Sequence, residues 1–377
     1  MRVCYFGTYR TEYARNQISI EGLRQAGIEV TECHVKLWKG VEDRVRIATG
    51  GWLHPTFWLR VLSVYLKLFK RYRQVGRYDI LIVGYPGHFD VFLARLLSWL
   101  RQKPLVWDVL NSMYLITLER GILQRRPFVA KLIWWLEKAA CQLPDLLILD
   151  TQDFVHWFHH NFGTNTARFR LVPIGADERF FHPIQSPPKT NSKFVVIYYG
   201  SYIPNHGVQV VVSAAHLLQS DTAIHFEMIG TGPDLPKARE FAEHLSLQNI
   251  TFTDWLERDQ LAQRIAAADL VLGAFGNTQQ MRLTNNNKIF EGFAMRKPVI
   301  SSKSPALPTN LQHLIHLYLC EPSSPHSLAE GIQILKANRV ICQNLADQGY
   351  RIFQEHFDVS HIGCKFAAHL RELVGIY

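Results

Sequence analysis

Short apolar runs alternate with amphipathic stretches along the whole chain. Arg2–Phe6 opens the series and gives way to Gly7-Thr8-Tyr9. Asn16–Ala26 has apolar residues at helical spacing and stops at Gly27, a usual helix terminator. Ile28–Val35, Asp79–Val83, Pro104–Trp107, Leu146–Leu149 and Arg170–Pro173 repeat the strand form, with helical stretches between them. The pattern breaks at Pro183–Lys193, which is polar and proline-rich and reads as a linker. It restarts at Phe194–Tyr199 and continues through Ala223–Ile229, Asn249–Thr253, Leu270–Gly273 and Pro298–Ser301. Strands alternating with helices predict parallel sheets covered on both faces. The expected architecture is α/β, with two doubly wound, Rossmann-like domains at 1–183 and 194–377 joined by a linker at 184–193. The last helix is a candidate to pack back on the first domain. Ligands of such sheets bind at the carboxyl ends of the strands, so two facing sheets predict a cleft between them.

With 377 residues, each half is long enough to bury its own core. Hydrophobic residues at 47% and charged residues at 19% exclude a disordered or collagen-like chain. Six scattered cysteines without a CxxC pair argue against a zinc site or a disulfide framework and for a reducing, cytoplasmic compartment. The opening MRVCYFGTYR lacks the apolar run of a signal peptide, and the longest apolar stretch, Phe128–Asp150, is interrupted by charges. Charge is uneven. Residues 1–183 hold 25 Lys and Arg against 16 Asp and Glu, whereas residues 184–377 balance at 16 and 16. The first half is therefore expected to meet something anionic: a membrane surface, nucleic acid or a phosphate-bearing ligand. No nucleic-acid-binding motif accompanies the charge, so nucleic acid is not an expected partner.

Candidate chemistry sits at the strand ends. Gly200-Ser201 follows the first strand of the second half, leading through Pro204-Asn205-His206-Gly207 into a helix, and Gly230-Thr231-Gly232 follows the second. Glycines there let backbone N–H groups approach a phosphate. Neither turn is a GxGxxG or Walker loop, which argues against dinucleotide binding and ATP hydrolysis. The most specific segment is Asn285–Ile300. Asn287, Lys288, Ile289 and Glu291 open a short helix, and Lys288 and Glu291 share one face. The helix N-terminus and Lys288 suit a diphosphate, and Glu291, one turn deeper, suits two neighbouring hydroxyls of a ribose. An exposed ion pair is the bland alternative.

Here the sequence resembles a family. Asn287-Lys288-Ile289-Phe290-Glu291 before Lys297-Pro298-Val299-Ile300, Val172–Asp177 followed by Phe181-His182-Pro183, and Ile229–Pro233 are similar to signposts of retaining GT-B glycosyltransferases of the family 4 group. The resemblance covers nearly the whole chain. It implies transfer of a sugar from a nucleotide-diphosphate sugar to a hydroxyl acceptor in glycan or glycolipid biosynthesis, without a further cofactor. Two departures stand out. Leu283 occupies the position of a glutamate that usually holds the donor sugar, leaving Gln279, Gln280 or Thr284 for that task. Ser201 and His206 stand where an arginine and a lysine are usual. The resemblance assigns the donor to Gly200, Ser201, His206, Gly230, Asn287, Lys288, Ile289 and Glu291, with Trp255 and Leu256 at the base. Stabilisation of the departing diphosphate falls to Lys288 and the helix N-terminus. No DxD pair is placed for a metal, and none is expected.

The first half is expected to hold the acceptor at Gly7, Thr8 and Tyr9, at Gly87 and His88, and at Asp108 and Asn111, each after a strand. His88 is the candidate to orient or polarise a hydroxyl; Asp108 equally suits a helix cap. A glycan or lipid-linked acceptor at the cytoplasmic face of the membrane is the expectation. Between Arg44 and Tyr78 there are eight Lys and Arg and no acidic residue, and Phe57–Arg73 is amphipathic with Trp58, Val61, Leu62, Tyr65, Phe69 and Tyr72 on one side. Packing of that side on the sheet is the competing expectation. A catalytically silent GT-B partner and a nucleotide-sugar epimerase are the alternative functions.

Overall fold

The computed structural model describes residues 1–37, 54–185 and 193–375. Most of the expected linker, together with Arg44 and Arg46 of the basic stretch, lies outside the described residues. The chain divides into two units, Met1–Pro173 with Val359–Tyr377, and Ile174–Asp358. Residues 174–183, expected in the first domain, fall in the second unit, and the last helix, the candidate to pack back, falls in the first. Arg258 of the second unit stacks its guanidinium 5.0 Å from the Phe180 ring, which ties the segment after Pro173 to that unit.

The first unit holds a six-stranded parallel sheet in the order β2-β1-β3-β4-β5-β6. Its strands are Arg2–Gly7, Glu29–His34, Ile80–Val83, Leu105–Asp108, Leu146–Leu149 and Phe169–Leu171, numbered β1 to β6. The runs ILIV and LLIL are buried at every residue, as strands covered on both faces must be. On one face, helices Ala14–Gln25 and Val359–Leu373 pack over Val3, Tyr5, Ile80, Ile82, Val106 and Ile148. The two helices meet at glycines. A Cβ on Gly22 would lie 2.7 Å from the Gly363 Cα, so only bare backbone allows this approach.

The second unit has its own six-stranded parallel sheet, ordered β12-β11-β10-β7-β8-β9. These strands are Phe194–Ser201, Ile224–Thr231, Ile250–Thr253, Leu270–Leu272, Val299–Ser302 and Tyr318–Cys320, numbered β7 to β12. The hydrophobic pattern missed β12, which is three residues long and only fully buried at Cys320. In both sheets the strand order reverses beside the first strand, between β1 and β3 and between β7 and β10. Ligand sites of doubly wound sheets lie at such switch points, outside the carboxyl ends.

A buried ion pair locks the first unit. Arg15, from the first helix, forks onto Asp108 at the end of β4, with Nε–Oδ2 at 2.8 Å and Nη2–Oδ1 at 3.1 Å. Its remaining nitrogen donates to the carbonyls of Val172 and Pro173 at 2.9 and 2.8 Å. Asp108 is fully buried, so the expectation that it meets an acceptor or caps a helix gives way to a structural role. Its charge is already matched, and no face of the carboxylate is open. Replacing Asp108 by Ala leaves a buried guanidinium unpaired. Chemical denaturation is expected to show a loss of about 3–5 kcal/mol in this unit. An Asp108→Ala protein as stable as the parent would contradict the role.

Candidate active site

The second unit's switch point is built on bare backbone. Gly200 and Gly230 end the paired strands β7 and β8 in register, and both have positive φ, +116° and +133°. A side chain on Gly230 would overlap the Gly200 carbonyl. The turn 204–206 is pinned against the exit of β10, where the Phe275 amide donates to the His206 carbonyl at 3.0 Å. This fixes His206 beside Ser201: Nδ1 donates to the Ser201 carbonyl at 2.6 Å. The Tyr198 hydroxyl lies 3.1 Å from the same carbonyl.

Lys288 enters this cluster from the first turn of the helix Asn287–Ala294. Its Nζ lies 3.4 Å from His206 Nδ1 and 5.1 Å from the centre of the Tyr198 ring. A Cβ on Gly200 would come within 3.9 Å of it. The side chain is buried, and among the described residues it forms no salt bridge. Burial therefore pulls its pKa down to about 8, against a smaller opposing pull from Glu291. Burial and the neighbouring ammonium hold His206 well below the usual imidazole range. His206 is thus neutral, and Lys288 is the cation of the cluster. Asn286 holds the N-cap position of the helix, but its side chain makes no cap bond and its Oδ1 is buried without a partner among the described residues. Its first-turn amides and Lys288 present donors and positive potential at one place.

Glu291 sits one turn further along. Burial raises its pKa, restrained by the Tyr199 hydroxyl, Lys288 and Arg258. Gly292 brings this helix onto the sheet, since a Cβ there would lie 2.6 Å from Val299 Cγ2. Ile289 is wholly buried, so only its backbone is available to a ligand. Leu283 is buried as well, and the Thr284 hydroxyl is bonded to the Gln280 carbonyl at 3.0 Å. Asn287 is half-buried at the helix start. The Trp255 ring is 54% exposed after β9, with Leu256 half-buried beside it. Sequence reasoning missed Tyr198 and Arg258. Tyr198 lay inside an apolar run, and the approach of Arg258 to Glu291 is a tertiary fact.

In the first unit the residues chosen by their place after strands divide into two sets. Thr8 donates from its amide and hydroxyl to Asp90, at 2.7 and 3.0 Å, and a Cβ on Gly7 would lie 2.6 Å from the same carboxylate. Asp90 also accepts from Tyr65 at 2.8 Å, and burial pushes its pKa up. Tyr9 is part of the core: its ring is 1% exposed and its hydroxyl is bonded to Glu32 at 2.8 Å. Gly87 holds a φ of +53°, and a Cβ there would lie 2.7 Å from Trp107 Nε1. His88 is buried against Trp107, ring centres 5.0 Å apart, with Nε2 3.3 Å from Glu137. Asn111 donates to the Tyr85 hydroxyl at 3.2 Å. Asp90 and Glu137 escaped the sequence reading because their partners are distant in the chain.

Two family models account for these two units. "Glycosyltransferase Family 4" matches residues 19–180 and "Glycosyl transferases group 1" matches residues 193–338. The chain is a family 4-type glycosyltransferase of the GT-B fold. Among solved structures it is similar to Anabaena HepE in complex with UDP and glucose, at 15% identity and TM-score 0.68, covering 99% of this chain and 100% of that one. Sucrose-phosphate synthase from Thermosynechococcus elongatus is similar at 15% identity and TM-score 0.71, with both chains covered fully. A glycosyltransferase from Rickettsia africae follows at 12% identity and TM-score 0.64, covering 99% and 98%. No curated protein matches the sequence.

Burying Lys288 has a cost that this glycosyltransferase retains. The folded-state pKa of about 8 lies below the ordinary lysine value of 10.5, so the folded state binds fewer protons between those limits. Stability therefore rises as pH passes from 8 towards 10.5, and below 8 the full penalty remains. Lys288→Met is expected to stabilise the ligand-free protein at pH 7 by about 2–3 kcal/mol, with the gain shrinking above pH 8. Thermal unfolding across pH checks this; a destabilised variant at pH 7 would contradict it.

Proposed function

We propose that the enzyme is a retaining transferase that moves a hexose from a nucleotide-diphosphate sugar to a hydroxyl on a membrane-borne acceptor. The observation that carries the donor assignment is Lys288: a buried ammonium that forms no salt bridge among the described residues, at a helix N-terminus whose Asn286 makes no side-chain cap bond, beside a turn stripped to glycine. A diphosphate supplies the missing counter-charge, and Glu291 one turn deeper receives the ribose hydroxyls. The HepE complexes with UDP and with UDP-glucose support a uridine donor. As the glycosidic bond breaks, negative charge grows on the diphosphate, where Lys288, the helix amides and the Gly200–Ser201 backbone stabilise it. The acceptor hydroxyl attacks from the leaving group's own side, and a phosphate oxygen takes its proton. His88 orients that hydroxyl.

The roles of Lys288 and Glu291 separate kinetically. The ribose contact exists before and during bond cleavage, whereas the diphosphate charge grows only as the bond breaks. Glu291→Ala is expected to weaken donor binding with a smaller change in turnover. Lys288→Ala is expected to lower turnover by a factor corresponding to about 2.7–4 kcal/mol. Steady-state kinetics with UDP-glucose and related donors reads both, and wild-type turnover in Lys288→Ala would sink the assignment.

Support for a membrane-borne acceptor comes from the first unit's surface. The helix Pro55–Tyr72 buries Val64, Leu68 and Tyr72; of the apolar side read from the sequence, Tyr72 is buried and Trp58, Leu62 and Phe69 are exposed. Trp58, Leu62, Leu66 and Phe69 stay 43–61% exposed at helical spacing. The helices Asp90–Leu100 and Pro127–Gln142 repeat this with Leu96 and Trp99, and with Phe128, Leu132 and Trp135. By the right-handed crossover rule the three helices lie on one face of the sheet. Lys67, Lys70, Arg73, Lys103 and Lys131 accompany the apolar stripes. No described helix is long and apolar enough to cross a membrane, so the proposed contact is peripheral. Each cation near an anionic surface contributes about 1 kcal/mol. In vesicle flotation, the protein is expected to rise with anionic but not neutral lipid, and Trp58→Ser with Leu62→Ser to weaken this. Equal recovery with both lipids would remove the membrane claim.

A further inference from the structure

Glu137 is buried with its whole side chain inside the first unit, and both carboxylate oxygens are engaged. Oε2 accepts from the Ser112 hydroxyl at 3.0 Å and the Tyr114 amide at 2.7 Å. Oε1 accepts from the Met113 amide at 3.1 Å and lies 3.3 Å from His88 Nε2. The carboxylate therefore holds the N-terminus of the helix Met113–Glu119 and faces the imidazole at the end of β3. A carboxylate only accepts, so the ring nitrogen facing it carries the proton. The approach of Nε2 to Glu137 is an electrostatic contact at 3.3 Å, without the alignment of a formed hydrogen bond, and Nδ1 is then the bare nitrogen, buried with no polar partner. The Trp107 ring, edge-on at 85°, restricts rotation of the imidazole. Asp90 is the other carboxylate that acts on this site, and it is already held by Thr8 and Tyr65.

We propose that Glu137 is the positioning residue of His88: it fixes the imidazole as the Nε2–H tautomer and presents Nδ1 as the acceptor for a substrate hydroxyl. The role of that acceptor rests on the assignment of His88 made above; the tautomer does not. Glu137→Gln tests it sharply. Oε2 takes two bonds, from Tyr114 and Ser112, and Oε1 one backbone bond, from Met113, so the amide nitrogen falls at Oε1, gives up the Met113 bond and points a donor at His88. The ring must then accept at Nε2 and protonate Nδ1, with its hydrogen-bonding sense reversed.

The experiment is nitrogen NMR of histidine-labelled full-length protein at a pH where imidazoles are neutral, with the His88 signals assigned through His88→Gln. The expected result is an Nε2–H ring in the wild type and an Nδ1–H ring in Glu137→Gln. Ser112→Ala, which leaves the carboxylate in place, is expected to keep the wild-type tautomer. An Nδ1–H ring in the wild type overturns the proposal, and that measurement stands even if Glu137→Gln fails to fold. UDP release from UDP-glucose is expected to fall about 100-fold or more in Glu137→Gln, with KM for the donor unchanged. Inversion of the tautomer with unchanged turnover in both Glu137→Gln and His88→Gln would uphold the pairing and overturn the catalytic assignment of His88.

Discussion

The ammonium of Lys288 is buried where the ligand-free fold gives it little to answer its charge. Its neighbours are the Tyr198 ring face, a neutral His206, the positive end of its own helix and, one turn on, Glu291, whose pull is smaller than the effect of burial. The ring face is attractive, but the helix terminus is not. Several features of the second unit follow from keeping this charge in place. Gly200 and Gly230 clear the space in front of it. Gly292 presses the helix onto β10 and β11, so the lysine cannot swing away with it. The Ser201 carbonyl accepts from His206 and fixes the ring, while burial and the ammonium itself keep the imidazole from competing as a second cation. A site held this way is arranged before any anion arrives, which is what electrostatic stabilisation of a leaving diphosphate requires.

The first unit uses carboxylates in a corresponding way. Asp108, Asp90 and Glu137 are all buried near carboxyl ends of strands, and each is matched by donors from elsewhere in the chain. Asp108 takes a guanidinium, Asp90 the Gly7–Thr8 turn and Tyr65, and Glu137 a helix N-terminus and His88. Loops at strand ends are the least constrained parts of a doubly wound fold. Charge-assisted hydrogen bonds to buried carboxylates order them. The link from Tyr65 to Asp90 also joins the apolar-striped helix Pro55–Tyr72 to the Thr8 turn, so the surface facing outward and the strand ends share one hydrogen-bond network.

The hydrophobic pattern determined most of the architecture. Runs such as ILIV and LLIL have only one stable environment, a sheet buried on both faces, and the helices between them force parallel pairing. Lys288 and Glu291 were legible because polar residues three apart stood out on an otherwise apolar helix, and the motif around them carried the family. What the sequence left open depended on distance along the chain. Asp108 looked free until Arg15, 93 residues earlier, was placed beside it. Tyr9 looked like a loop residue until Glu32 took its hydroxyl. Which side of Pro55–Tyr72 packs inward was not decided by its periodicity, because that helix carries two apolar stripes and only the sheet selects between them. Local spacing encodes faces and ends of elements; which groups meet, and hence which charges are matched or left waiting, is settled only when the chain closes on itself.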